Sequence, residues 1–422
     1  MKPEIKERIS QIQKGIEPKG YNKTDYGIFP EEWEQKTFGE IFDFYGSISK
    51  SRDELGNSGI PYLHYGDMHR SDFKIASYNE YSLLPRYDME IKGDETYLLK
   101  DGDVVFLDAS EDVDGTTRSV VVDNPENQPF LAGLHTFVGK EKSDFLDKYY
   151  KQYLTLPEYV RKQIMRLAVG FKVYGINRND IKKIYYYVPS KPEQEKIANI
   201  LKKWDRAIEL QEQLIEKLEV QRHGALQRIV SNNKWNKQSI GTFAKECKTR
   251  NENGKCKNVK SVSNKYGFIS QNEQFSKTVA SSDVSNYKIV KYKNIAYNPS
   301  RINVGSIAVY KESDEAIVSP MYVVFECCDI EPELLCLLLS TDKSKYNIIA
   351  YCTGSVRNSL NFDDLCKIKI NMPDKKAQKN ILDCFNNIDE NIRFQNKKLE
   401  LLKQQQKSMQ QLLLTGIVRL KK

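Results

Sequence analysis

Residues 189–230 read PSKPEQEKIANILKKWDRAIELQEQLIEKLEVQRHGALQRIV. Past Pro192 the stretch has no proline, and its one glycine, Gly224, comes late, so nothing in it stops a helix. Ser190 is a candidate N-cap, and Pro192 falls in the first turn, where a missing N–H is tolerated. Ile197, Leu201, Trp204, Ile208, Ile215 and Leu218 recur in steps of three and four, or one full heptad, with Gln211 the polar member of the stripe. A narrow apolar seam of this period marks a helix that pairs with another along its length. Two readings of Gln211 stay open, a seam residue that sets register and a solvated one.

The partner helix lies in the same chain. Residues 170–221 match residues 354–405 without a gap, at a constant offset of 184. Gly170 pairs with Gly354, Asn177 with Asn361, Asp180 with Asp364, Lys183 with Lys367, Pro189 with Pro373, Gln194 with Gln378, Asp205 with Asp389 and Gln211 with Gln395. The second seam reads Ile381, Phe385, Ile388, Ile392, Leu399 and Leu402, with Asp374 in the place of Ser190. A weaker match at an offset of 202 joins Trp33 to Trp235 and Gly39 to Gly241, so the segment in between is shorter in the second copy.

The first helix runs out near Val230 and the next variable segment begins around Trp235, which favours antiparallel pairing. The expected fold class is therefore α+β. Two mixed α/β domains would be separated by a long antiparallel two-helix coiled coil with a pseudo-two-fold internal repeat. The expected divisions are an amino-terminal helical segment at 1–20, a first domain at 21–188, a central helix at 189–231, a second domain at 232–372 and a carboxy-terminal helix at 373–422. Short β-rich runs support the domains: Asp103 to Leu107, Ser119 to Val122, Ile184 to Val188, Gly305 to Tyr310 and Met321 to Phe325. Helical patches are expected at Phe145 to Met165 and Pro332 to Ser340.

The 422 residues include 65 Lys and Arg against 57 Asp and Glu, a formal charge of +8. That excess suits an anionic partner without requiring one. No stretch nears the ~20 apolar residues of a membrane span, and the opening MKPEIKERISQIQKG lacks the apolar core of a secretory leader. A cytoplasmic protein without a membrane partner is expected. All eight cysteines follow residue 246, none in a C-x-x-C pair, while His64, His69, His135 and His223 precede them. Buried reduced thiols and no metal site are the expectation.

Basic and polar residues interleave with aromatics beside turns. Lys50 and Arg52 lie in SISKSR, His69 and Arg70 in HYGDMHR, and Lys172, Tyr174 and Arg178 in GFKVYGINRND. The second half offers Arg301 and Asn303 in YNPSRINVGS, and Arg357 and Asn358 in TGSVRNS. Arg and Asn pair bidentately with guanine and adenine edges, and Lys suits phosphate, so the set points to double-stranded DNA. A rod of about 40 residues spans about 60 Å, a little under two B-DNA turns of ~34 Å, and would set the spacer between two half-sites.

Catalytic signatures are missing. There is no G-x-x-x-x-G-K-[ST] loop and no G-x-G-x-x-G. Asn298-Pro299-Ser300-Arg301 departs from the Asn/Asp-Pro-Pro-aromatic signature of amino-methyltransferases and reads as a turn. Asp67 with Glu90-Ile91-Lys92 only faintly imitates a metal-dependent nuclease. The acidic loop Asp108 to Asp114 lacks EF-hand spacing and reads as a solvated or base-contacting loop. No catalytic residue, metal or cofactor is assigned to the chain.

Pro189, Glu193, Gln194, Ile197, Ala198, Asp205 and Ile208 resemble the shared central region of the specificity (S) subunits of type I restriction-modification systems. Gly27-Ile-Phe-Pro-Glu-Glu-Trp33 resembles the lead into a target-recognition domain of that family, and Leu414-Thr-Gly-Ile-Val-Arg-Leu420 its ending. The second copy departs with Lys376-Ala377-Gln378 in place of the Glu-Gln pair, and the first copy lacks the Leu-Thr-Gly ending. The resemblance implies a non-catalytic subunit that reads a bipartite target, one half per domain, inside a host-defence complex. It implies two adenine-N6 methyltransferase subunits on the central helices and restriction (translocase/nuclease) subunits joining that core. S-adenosylmethionine, ATP and Mg would belong to those partners. The rival reading is a coiled-coil protein-interaction scaffold that does not touch DNA.

Overall fold

The computed structural model describes residues 3–70, 75–77, 84–91, 96–110, 117–170, 174–231, 235–264, 266–270, 283–352 and 359–420. Its contacts divide the chain into two units, Met1–Leu210 with Leu399–Lys422, and Gln211–Lys398. The cut falls inside two 40-residue helices, Lys191–Val230 and Lys375–Leu414, so each unit owns part of both. No helix among the described residues is long and apolar enough to cross a membrane.

The first unit is built on a five-stranded sheet ordered Phe42–Tyr45, Thr136–Glu141, Val104–Leu107, Ser119–Asp123, Ile75–Ser77. Its pairings are antiparallel except the last. The second unit repeats the first four positions as Ala244–Glu246, Val323–Cys327, Ile295–Tyr297 and Ile307–Val309, all antiparallel. Val-Val-Phe-Leu at 104–107 is apolar throughout because both sheet faces are covered. Val104 and Phe106 enter one core cluster, Val105 and Leu107 another, as the two-residue period of a strand requires.

The duplicated residues are those that set the backbone. The Asn177 and Asn361 side chains accept from the N–H groups of Asp180 (2.9 Å) and Asp364 (2.8 Å), capping equivalent one-turn helices. The strands that follow, Tyr185–Val188 and Lys369–Met372, pair antiparallel with Glu34–Thr37 and Asn236–Ser239 in the same register. Gly39 and Gly241 stand where these segments touch. A Cβ on Gly39 would lie 3.0 Å from the Lys182 Cβ, and one on Gly241 2.9 Å from the Cys366 Cβ. The expected helix from Phe145 to Met165 is two pieces, a 3-10 turn at Tyr150–Tyr153 and a helix at Glu158–Leu167. Pro157 separates them, since it cannot donate within a helix.

Within each unit the helix halves run antiparallel. In the second unit Gln211 donates to the Gln395 side-chain and main-chain oxygens at 3.0 and 3.1 Å, and further along Arg222 bonds Asp389 through two nitrogens. In the first unit Asp205 accepts from Gln406, while Lys196 donates to the Leu420 carbonyl. Asp205 and Asp389 are repeat equivalents, as are Arg222 and Gln406, so one contact is made twice with different chemistry. Gln211 meets its own equivalent and is 5% exposed, which selects the seam reading over the solvated one. Ile197, Leu201, Ile208, Ile215, Ile381, Phe385 and Leu399 are buried, and Trp204, Leu218, Ile388, Ile392 and Leu402 half-buried. Leu226, Leu413 and Leu414 also join the cores.

A clamp closes the first unit. The Glu193 carboxylate accepts from Arg419 Nε and Nη2 (both 2.8 Å), from the Leu420 N–H (3.1 Å) and from Trp33 Nε1 (3.1 Å). Burial raises the Glu193 pKa, but these donors outweigh it and hold it below the ordinary range. Gly416 (φ 71°) turns the chain against Pro30, 2.5 Å from where a Cβ would sit, and its carbonyl accepts from Tyr21 Oη at 2.7 Å.

Candidate nucleic-acid interface

In the first unit Lys50 and Arg52 are braced by acids of the same unit. Ser51 and Glu54 form a capping box on the turn Arg52–Glu54, and Lys50 Nζ lies 2.9 Å from Glu54 Oε1 and faces the Tyr87 ring. Lys50 and the Ser51 donors hold the Glu54 pKa down to about 2. Arg52 makes a fork-like pair with Asp67 at 2.7 and 2.9 Å. Both basic groups therefore keep a fixed geometry, which lowers the entropy cost of contacting a ligand.

From there the contacts continue. Asp67 sits on the helix Tyr65–Arg70, Tyr65 packs edge-on to His135 at 5.2 Å, and His135 Nδ1 lies 3.3 Å from Asp108 Oδ1. Burial raises the Asp108 pKa against the pull of His135, whereas His64 is lowered by burial and by Arg52. Asp108 leads into the strand Ala109–Ser110, which pairs with Tyr174–Gly175. Arg178 then lines a cleft of about 380 Å³ with Phe44, Asn177, Asn179, Asp180 and Lys182. It lies against Gly46, where a Cβ would meet its Nη1 at 3.5 Å.

Lys50, Arg52, Tyr174 and Arg178 are thus linked through chain segments far apart in sequence. His135, in a left-handed conformation (φ 58°), and Asp108 join these loops, and nothing in the local sequence of His135 marks that role. The His69 and Arg70 side chains, and Lys172, lie outside the described residues, as does much of the acidic loop.

In the second unit Arg301 is exposed and opens the 3-10 turn Ile302–Val304. Its N–H donates to the Asn298 carbonyl at 3.0 Å, its own carbonyl accepts from Ser306 at 3.1 Å, and Gly305 (φ 92°) closes the loop. Asn298-Pro-Ser-Arg301 is therefore a turn. Asn303 is half-buried in it. The Leu360 N–H donates to the Pro299 carbonyl at 3.1 Å, bringing the far end of the TGSVRNS segment to this turn. Arg357 and Asn358 lie outside the described residues. No acidic partner is recorded for Arg178 or Arg301 among the described residues.

Among the described residues no group of His, Cys, Asp and Glu has the arrangement of a metal site. All eight cysteines are free, but Cys328 and Cys384 are exposed and the other six half-buried, which corrects the expectation of buried thiols. Burial raises the Cys327 pKa to about 12, so that thiol stays protonated.

A family model described as the type I restriction modification DNA specificity domain matches residues 30–220 and 232–404. Over 429 residues the chain is 23% identical to the MjaX type I restriction enzyme specificity subunit of Methanocaldococcus jannaschii, covering 95% of this chain and 97% of that protein. The MjaVIII specificity subunit of the same organism is 26% identical over 209 residues, 49% of this chain and 47% of the other. The fold is similar to the crystal structure of a type I restriction-modification S subunit from M. genitalium, with TM-score 0.51 and 15% identity over 90% of this chain and 96% of that one. It is also similar to a chain from a structure on complex assembly and conformational transition of the type I R-M system, with TM-score 0.59 and 13% identity over 92% and 99%.

Proposed function

We propose, from the premise that this chain belongs to the family of type I restriction-modification DNA specificity proteins, that its two recognition domains each read one half of a bipartite duplex target. The observation that carries this reading is one scaffold used twice under two unlike sets of loops. Asn177 and Asn361, Gly39 and Gly241, and Gln194 and Gln378 keep the backbone the same, while Arg178 in one unit and Arg301 in the other offer guanidinium groups that no acid among the described residues pairs. Family membership disfavours the scaffold-only alternative.

The chain is the reading component, and chemistry falls to its partners. Two adenine-N6 methyltransferase subunits would dock on the helices, with S-adenosylmethionine held by them and ATP and Mg by the restriction subunits. Docking of two like subunits is supported by Leu210 and Phe394, repeat equivalents that stay 49% and 65% exposed on the long helices. The test is to map methylated adenines with the assembled complex carrying Arg301→Ala or Arg178→Ala. Each change should relax or weaken one half-site and leave the other intact. Equal loss at both half-sites, or DNA affinity that does not fall with salt, would reject the reading.

A further inference from the structure

In the first unit the helix Glu158–Leu167 and the strand Tyr185–Val188 form a cleft that the chain fills itself. The hairpin Tyr21–Thr24 with Gly27–Pro30 inserts its aromatics there. Phe29 stacks on Tyr187 at 3.8 Å and meets Tyr159 at 4.8 Å, while Tyr26 packs on Tyr185 at 5.0 Å.

The second unit has the same helix, Asp342–Tyr351, and the same strand, Lys369–Met372. It has no plug. By the offset that joins Trp33 to Trp235, the hairpin positions fall largely on the end of the long helix, which runs to Val230. Among the described residues the cleft is open, with a volume of about 310 Å³, floored by Ile370 and Ser344. Its chemistry is inverted. Tyr159, Tyr185 and Gln35 become Lys343, Lys369 and Lys237, all lining it and all exposed, and Lys367 joins them, paired with Asp364 at 2.7 Å. No ion pair is recorded for Lys237, Lys343 or Lys369 among the described residues.

We infer that this cleft receives an acidic polypeptide segment from a partner subunit, in the place the aromatic hairpin holds in the first unit. Two observations select the occupant. Unpaired lysines around a shared groove call for carboxylates, since Lys offers a point charge that bare water and carboxylate satisfy but an apolar plug does not. The equivalent cleft in the first unit is occupied by polypeptide, so the groove has the dimensions of a peptide segment. Duplex DNA is the competing anion. A face used for reading would be expected open in both recognition units, and in the first it is plugged.

The inference rests on the proposed assembly with partner subunits and not on which bases are read. Lysine acetylation footprinting by mass spectrometry tests it, comparing the chain alone, the assembled complex without DNA, and the complex with cognate duplex. Lys237, Lys343 and Lys369 should react readily in the chain alone and lose at least about 10-fold in reactivity on assembly before DNA is added. Protection that appears only with DNA would overturn it in favour of a phosphate contact. Unchanged reactivity in a complex that still methylates its target would overturn it while leaving the proposed function standing.

Discussion

At position 193 the central helix places a glutamate that holds Trp33, Leu420 and Arg419, and at the equivalent position 377 the second helix has alanine. The first unit is closed by that clamp and by an aromatic hairpin. The second replaces the hairpin with solvent-facing lysines. Both keep the capped turn, the four-strand order and the glycine contact. Duplication has preserved what sets the backbone and released the contacts that close each unit.

Making the first unit like the second at the clamp should have the largest effect. Glu193→Ala leaves a largely buried guanidinium with only Glu32, 3.0 Å away, as its acid and strands the Trp33 and Leu420 N–H groups, and should cost about 3 kcal/mol in denaturant unfolding. The same clamp gives a pH signature. The Glu193 pKa is lowered from 4.5, so its contribution is complete above that value and is lost as pH falls through the folded-state pKa. Stability measured between pH 6 and 3 should therefore fall less steeply in Glu193→Gln than in the parent, and parallel curves would show that the clamp does not titrate.

The glycine contacts test whether the scaffold is the same in both units. Gly39→Ala and Gly241→Ala should each cost about 1–3 kcal/mol, because each new methyl meets neighbouring backbone or Cβ atoms. A large loss at one site and none at the other would break the equivalence. At the DNA level Arg301→Ala should weaken one half-site roughly 10-fold or more, measured by binding to duplexes with single half-site changes. The smallest effect expected is at the helix pair, where Asp389→Asn should cost about 1 kcal/mol and Asp205→Asn less. Arg222 supplies a charged donor to Asp389, whereas Gln406 and Tyr153 supply neutral ones to Asp205.

The helices, their antiparallel order and the repeat were legible because they rest on local period and on near-identical residues at a constant spacing. Strands such as Val104–Leu107 and Ser119–Asp123 were legible as apolar runs, whereas their sheet neighbours Phe42–Tyr45, Thr136–Glu141 and Ile75–Ser77 were not, and Pro157 split the helix expected from Phe145 to Met165. The interface was legible only in part. Lys50, Arg52 and Arg178 stand out by type and by adjacent turns, but the acids that brace the first two are recruited by folding. His135 and Asp108 come together across 27 residues, and no periodicity announces such a contact.

The amino-acid order by itself determined that this protein has two long seamed helices and a duplicated scaffold, since both follow from short-range spacing along the chain. Tertiary structure alone decided that Glu193 anchors the tail, that Arg52 faces Asp67, and that one cleft is filled while its twin is lined with lysine. Those outcomes depend on which distant segments meet, and a meeting in space leaves no period in the chain.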